Sequence, residues 1–170
     1  MVGWVIRPGR GPASRRGGHV AIRRSLVAAI VVALTLAVPA AAARPPSLFH
    51  QCRTGNTHAC VQYVVDREHV AGAELAWLEQ IPGCESTWSP YAYSPSMEVS
   101  TPAQRAAVWD AGVSSMGLFQ FERPTWLRLP AWISRHSVWD PLWNAFGAWW
   151  LYKHDGDGRE WSCTARLGLV

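Results

Sequence analysis

The sequence predicts a mainly α domain with long loops, carried behind an N-terminal signal peptide. Three observations carry this prediction. Apolar residues recur at helical spacing in segments that begin with capping residues. Ser, Pro and Tyr collect between those segments, most densely over residues 86–102. Residues 1–43 have the charge and hydropathy order of a cleaved export signal.

The signal is read first. Arg7, Arg10, Arg15, Arg16, Arg23 and Arg24 form a positive region with no acidic residue. An uncharged apolar run, SLVAAIVVALTLAV, follows, then Pro39 and Ala40–Ala43, where Ala41-x-Ala43 fits a signal-peptidase site. The run is short for a membrane span, which needs about 20 apolar residues. Arg23-Arg24 leaves general and twin-arginine export both open, since Ile22 stands where a Ser or Thr usually precedes the pair.

The whole chain has 16 basic and 12 acidic residues, a formal charge of +4. That excess would suit a polyanion. Six arginines leave with the signal, and residues 44–170 keep 10 basic and 12 acidic groups, a formal charge of −2. A nucleic-acid partner therefore has no electrostatic support. No stable membrane span remains after signal removal, and a secreted or envelope-located monomer is expected.

All four cysteines follow the signal, and an even count in an exported chain reads as two disulfides. Three connectivities exist. Cys52–Cys60, closing a short Gly/Asn loop, and Cys84–Cys163, tying the middle of the chain to its end, are the expected pair. No CxxC pair suggests zinc, the histidines have no ligand spacing, and Asp155-Gly156-Asp157-Gly158 lacks the rest of a calcium loop. No metal or cofactor is expected.

The elements follow in order. Residues 44–65 read as a leader holding the Cys52/Cys60 loop, polar as far as Thr57, with Val61–Val65 alternating enough to suggest a strand. The domain proper is expected at 66–170. Asp66 caps a helix to about Gln80, with Val70, Ala73, Trp77 and Ile81 on one stripe and Pro82-Gly83 ending or kinking it. Thr101-Pro102-Ala103-Gln104 is a capping box with Pro at the first helical position, and Gly112 stops that helix. A short helical piece starts near Glu122–Trp126. Asp140-Pro141 starts a helix expected to reach Lys153 or His154, with Gly156 as its stop.

The chemistry concentrates in Cys84-Glu85-Ser86-Thr87-Trp88-Ser89-Pro90, followed by Ser94, and in Ser115-Met116-Gly117-Leu118-Phe119-Gln120. Glu85 ends an apolar helix beside Trp88, Tyr91 and Tyr93. Such surroundings raise a carboxyl pKa and suit a general acid. Aromatic faces suit the C–H faces of sugar rings, and Ser94 and Gln120 can bond amides and hydroxyls. Gly117 would permit the tight turn that places Gln120. Most of the other tryptophans read as packing.

At these residues the chain resembles the lytic transglycosylases with the soluble-lytic-transglycosylase, lysozyme-like domain. The matching pattern is Glu85-Ser86-x-Trp88-x-Pro90, then Ser94, then Ser115-x-Gly117-Leu118-x-Gln120, then Pro124-Thr125. Asp140-Pro141-x-x-Asn144, Trp149-Trp150-Leu151 and Glu160-Trp161-Ser162-Cys163 are similar too. The resemblance covers roughly residues 66–163. It implies a lysozyme-like fold and cleavage of the β-1,4 bond between N-acetylmuramic acid and N-acetylglucosamine in peptidoglycan. It implies Glu85 as the single acid/base, giving a 1,6-anhydro product. Gln120 would hold sugar groups, Ser94 would orient Glu85 or substrate, Phe119 would wall the groove and Trp88 would be a sugar platform.

The chain departs from the pattern in three places. Ser94 and Ser115 are about twenty residues apart, around an inserted helix that could roof one end of the groove. No Ala-Tyr-Asn motif occurs near the end. Glu122 stands where an apolar residue is usual. As a second carboxylate Glu122 could activate water and make a muramidase; alternatively it caps or flanks the helix at Pro124. A silent wall-binding module would keep the same groove.

Overall fold

The computed structural model describes residues 45–94, 97–112, 114–156 and 158–169. The proposed signal lies outside the described residues. Among the described residues eight helices follow in order: α1 (Leu48–Arg53), α2 (Thr57–Glu68), α3 (Gly72–Ser86), α4 (Pro102–Ala111), α5 (Arg123–Arg128), α6 (Ala131–Ser134), α7 (Pro141–Leu151) and α8 (Ser162–Leu167). A π-helical turn, Tyr152–Gly156, extends α7. Four two-residue strands form one antiparallel sheet in the order β2-β1-β3-β4: β1 (Ala92–Tyr93), β2 (Met97–Glu98), β3 (Ser115–Met116) and β4 (Phe121–Glu122). The fold is mainly helical, as the sequence predicts.

The leader is corrected. Residues 48–53 and 57–68 are helical and α2 packs against α3 and α7, so a boundary at residue 65 falls inside α2. Ser47 and Asn56 cap the two helices by accepting the backbone N–H groups of His50 and Ala59. Val61–Val65 is helix, not strand. Val61, Val64 and Val65 stand at helical spacing on one stripe, all buried, and α2 packs against α7. Burial of that stripe overrides the β preference of branched side chains.

Asp66 caps nothing; it lies in the last turn of α2 and accepts a bond from Gln62 Nε2 at 3.2 Å. His69, at φ 54°, ends α2 in the left-handed region. The helix that carries Glu85 therefore starts at Gly72, and Pro82 lies inside it. Pro82 removes one N–H, yet its own carbonyl accepts from Ser86 Oγ and from the N–H groups of Thr87 and Trp88. Those bonds close the helix end just beyond the acid.

The predicted capping box at Thr101 and Gln104 is formed, and Gly112 is the left-handed C-cap. Asp140 caps α7 by accepting from Leu142 N at 3.0 Å and also pairs with Arg53 Nη1 at 3.0 Å. Trp77, Leu78, Ile81, Phe119, Phe121 and Trp126 centre the core. Trp77 Nε1 donates to Thr164 Oγ1 at 2.9 Å, and Thr164 donates to Gly158 O at 2.6 Å, locking α3 to the C-terminal segment.

Both disulfides form as predicted, Cys52–Cys60 and Cys84–Cys163. The second spans 79 residues and joins α3 to α8. Closing a loop of that size is expected to stabilise the domain by about 4 kcal/mol in the chain-entropy treatment. Urea unfolding with and without reductant measures this. Equal midpoints in the two conditions would contradict it.

Candidate active site

The end of α3, the small sheet and the start of α8 enclose a cavity of about 730 Å3. Leu78, Ile81 and Glu85 stand three and four residues apart, so Glu85 prolongs the buried stripe of α3 beyond the core. It is half-buried and lines the cavity. Its Oε1 accepts the backbone N–H of Cys163 at 3.2 Å, beside the Cys84–Cys163 bond. The carboxyl is thus held from two sides, by its own helix and by the linked C-terminal segment.

Sheet register places the opposite wall. Ser115 pairs with Glu122 and Met116 with Phe121. Neighbours along a strand point to opposite faces, so Met116 and Phe121 enter the core while Ser115 and Glu122 line the cavity. The N–H of Ser94 donates to Ser115 O at 3.0 Å, which brings Ser94 into the same row. Ser94, Ser115, Gln120 and Glu122 all line the space occupied by Glu85.

The turn between β3 and β4 is built on Gly117. At φ 80° it adopts a left-handed conformation, and a Cβ there would lie 2.4 Å from Asn144 Nδ2 and 2.5 Å from Val138 O. Asn144 is fully buried on α7; its Oδ1 accepts from Phe119 N and its Nδ2 donates to Val138 O, both at 2.7 Å. Ser86 Oγ reaches Leu118 O at 2.8 Å and joins the end of α3 to this turn. Gln120 then stands at φ 53°, with Nε2 donating to Ala92 O at 3.0 Å and Gly117 O at 2.8 Å. Its two amide hydrogens are spent on the loop, and its amide oxygen is the group left to offer a ligand.

Four non-glycine residues have positive φ among those described, and two of them, Thr87 and Gln120, line the cavity. For a β-branched residue such as Thr87 this conformation is strained, and strain of this kind collects at functional sites.

Two sequence assignments are corrected. Phe119 is buried in the core, stacked against Trp77 at 5.8 Å, and does not wall the groove. Trp88 turns away from the acid, stacks on His58 at 3.6 Å, and lines a neighbouring cavity with Tyr91. The left-handed residues after Ser86 redirect the chain there. Tyr93 does line the groove, with Trp161 and Leu151 as its further apolar wall.

Glu122 occupies the N-cap position of α5, yet its side chain makes no capping bond. It is exposed and lines the cavity with Glu85. Glu98 and Glu160, which the sequence alone does not mark as site residues, line it too, and no basic side chain is among the described lining residues. Glu98 accepts a bond from Ser89 Oγ at 2.9 Å. The resemblance at Glu160-Trp161-Ser162-Cys163 was the signal that this segment reaches the groove. The inserted helix α4 contributes no lining residue and does not roof this site. Among the described residues no cluster of three or more His, Cys, Asp or Glu is placed to hold a metal, and no helix is long and apolar enough to cross a membrane.

Comparison with protein-family models, curated proteins and solved structures found no match.

Proposed function

We propose that this protein is an exported peptidoglycan lytic transglycosylase. The observation that carries the reading is the meeting of Glu85, Ser94, Ser115 and Gln120, far apart in sequence, around one open cavity. Glu85, with its carboxyl pinned by the Cys163 N–H, would protonate the oxygen of the bond between N-acetylmuramic acid and N-acetylglucosamine. As a carboxylate it would then take the proton of the muramoyl 6-hydroxyl as that oxygen attacks C1. One carboxyl serves both steps because the nucleophile belongs to the substrate. The amide oxygen of Gln120 would accept from an N-acetyl N–H or a sugar hydroxyl. Ser94 and Ser115 would bond the same chain from the sheet side. Two disulfides in one small domain suit an oxidising compartment, and secretion to the cell envelope belongs to the same proposal.

A second reading rests on Glu122, which is free of the capping role and lines the same cavity. A carboxylate there could activate water and give hydrolysis instead. Glu122→Gln separates the two. The transglycosylase reading expects turnover within about threefold of wild type. A loss of about a hundredfold or more, the size of a general-base contribution, would favour the muramidase. Product analysis, described below, tests the reaction itself.

A further inference from the structure

The inserted helix α4 and the segment after α6 enclose a second cavity of about 420 Å3, lined among others by Arg105, Trp109, Arg135, His136 and Trp139. Its charge is the reverse of the first. Among its described lining residues are two arginines and no carboxylate, whereas those of the Glu85 cavity include four glutamates and no basic group. None of the ion pairs among the described residues uses Arg105 or Arg135. Asp140, next in sequence to Trp139, is already taken by Arg53 and the α7 cap.

Arg105 is held in place. Its Nη1 donates to Val99 O at 3.3 Å and Ser100 O at 2.9 Å, and its guanidinium lies over Tyr91 at 4.6 Å. Those contacts leave the Nε/Nη2 edge uncommitted, the edge that receives a carboxylate in a two-bond fork. Arg135 makes one long contact, Nε to His136 Nε2 at 3.5 Å, and keeps both Nη groups. His136 is fixed by stacking on Trp143 at 3.8 Å. Trp109, Trp139, Ala106 and Val138 supply apolar wall for the methyl and methylene groups beside an anion.

We infer that this cavity binds the C-terminal carboxylate of a short peptide, with Arg105 and Arg135 on its oxygens. That the peptide is one carried on a wall glycan rests on the proposed function; the carboxylate chemistry does not. The two cavities would divide one substrate by charge. Uncharged sugars would enter the acidic groove, and the anionic peptide end, repelled there, would settle here.

The test is calorimetric titration of the intact protein with an N-acetylated tetrapeptide ending in D-alanine, against the same peptide as its C-terminal amide. The expected result is saturable binding of the acid, at least tenfold weaker binding of the amide, and a like loss in Arg135→Ala, whose side chain is exposed. Equal binding of acid and amide, or no saturable binding of either, would overturn the inference without any variant. Glucuronic acid competing as well as the peptide would overturn the peptide assignment. Cleavage of glycan is read separately. A protein that binds the peptide but cleaves nothing keeps this site and loses the proposed function; one that cleaves but ignores the peptide does the reverse.

Discussion

Glu85→Gln is expected to lower turnover on purified peptidoglycan by about a thousandfold, within the range a general acid contributes. The amide has no proton to give and cannot become the carboxylate that accepts one. Its oxygen can still accept the Cys163 N–H that Glu85 Oε1 now holds at 3.2 Å. The variant should therefore fold normally and bind glycan with little change in KM, so the loss falls on kcat. Glu85→Ala removes the proton and the tie together, and should lose stability as well. A Gln variant retaining more than about a tenth of wild-type turnover would show that Glu85 is not the acid.

Gly117→Ala is expected to destabilise the domain by about 3 kcal/mol, combining left-handed backbone strain with overpacking. The added methyl would meet Asn144 Nδ2 at 2.4 Å and Val138 O at 2.5 Å, and both partners are fixed. Asn144 cannot step aside without releasing Phe119 N and Val138 O, each buried and left without a partner. Adding Asn144→Ala to make room should therefore not rescue the variant. Thermal unfolding reads this as a fall in Tm of about 10 °C. A wild-type Tm in Gly117→Ala would mean that the turn is not built as described. Because Gln120 follows the same turn, activity should fall further than stability alone explains.

Much of this architecture was legible where a single residue type meets a local need. Thr101 and Gln104 form their reciprocal cap from four consecutive residues. Asp140 caps α7, and Gly117 makes the turn that its sequence position predicts. The cysteine pairing followed from one short loop and one long tie. Each depends on local geometry or chain connectivity, which a sequence carries directly.

What was not legible depends on tertiary burial. Val61, Val64 and Val65 resemble a strand until α7 is there to cover their helical stripe. The four strands are two residues each, too short to show alternation. Pro82 stays inside α3 because Ser86, Thr87 and Trp88 reuse its carbonyl, an arrangement no propensity contains.

The candidate site divides the same way. Glu85, Ser94 and Gln120 stand in the motif, Glu122 stands where the pattern has an apolar residue, and all four line one cavity. The resemblance and the aromatic side chains lead one to expect Phe119 and Trp88 at the groove, and the local turns take both away from it. Phe119 points into the core one residue before Gln120, and Trp88 follows two bends away from Glu85. Glu98 and Glu160 enter the cavity through strand pairing and the Cys84–Cys163 tie.

In the proposed reaction Glu85 cleaves wall glycan with the substrate's own 6-hydroxyl as nucleophile. Mass analysis of the glycan ends released from purified sacculi by the wild-type protein tests it most directly. The expected products carry 1,6-anhydro-muramoyl ends, one water lighter than reducing ends, and these are absent with Glu85→Gln. Reducing ends alone would contradict it and turn the assignment toward hydrolysis with Glu122. No released fragments from active-folded protein would contradict the enzyme reading altogether.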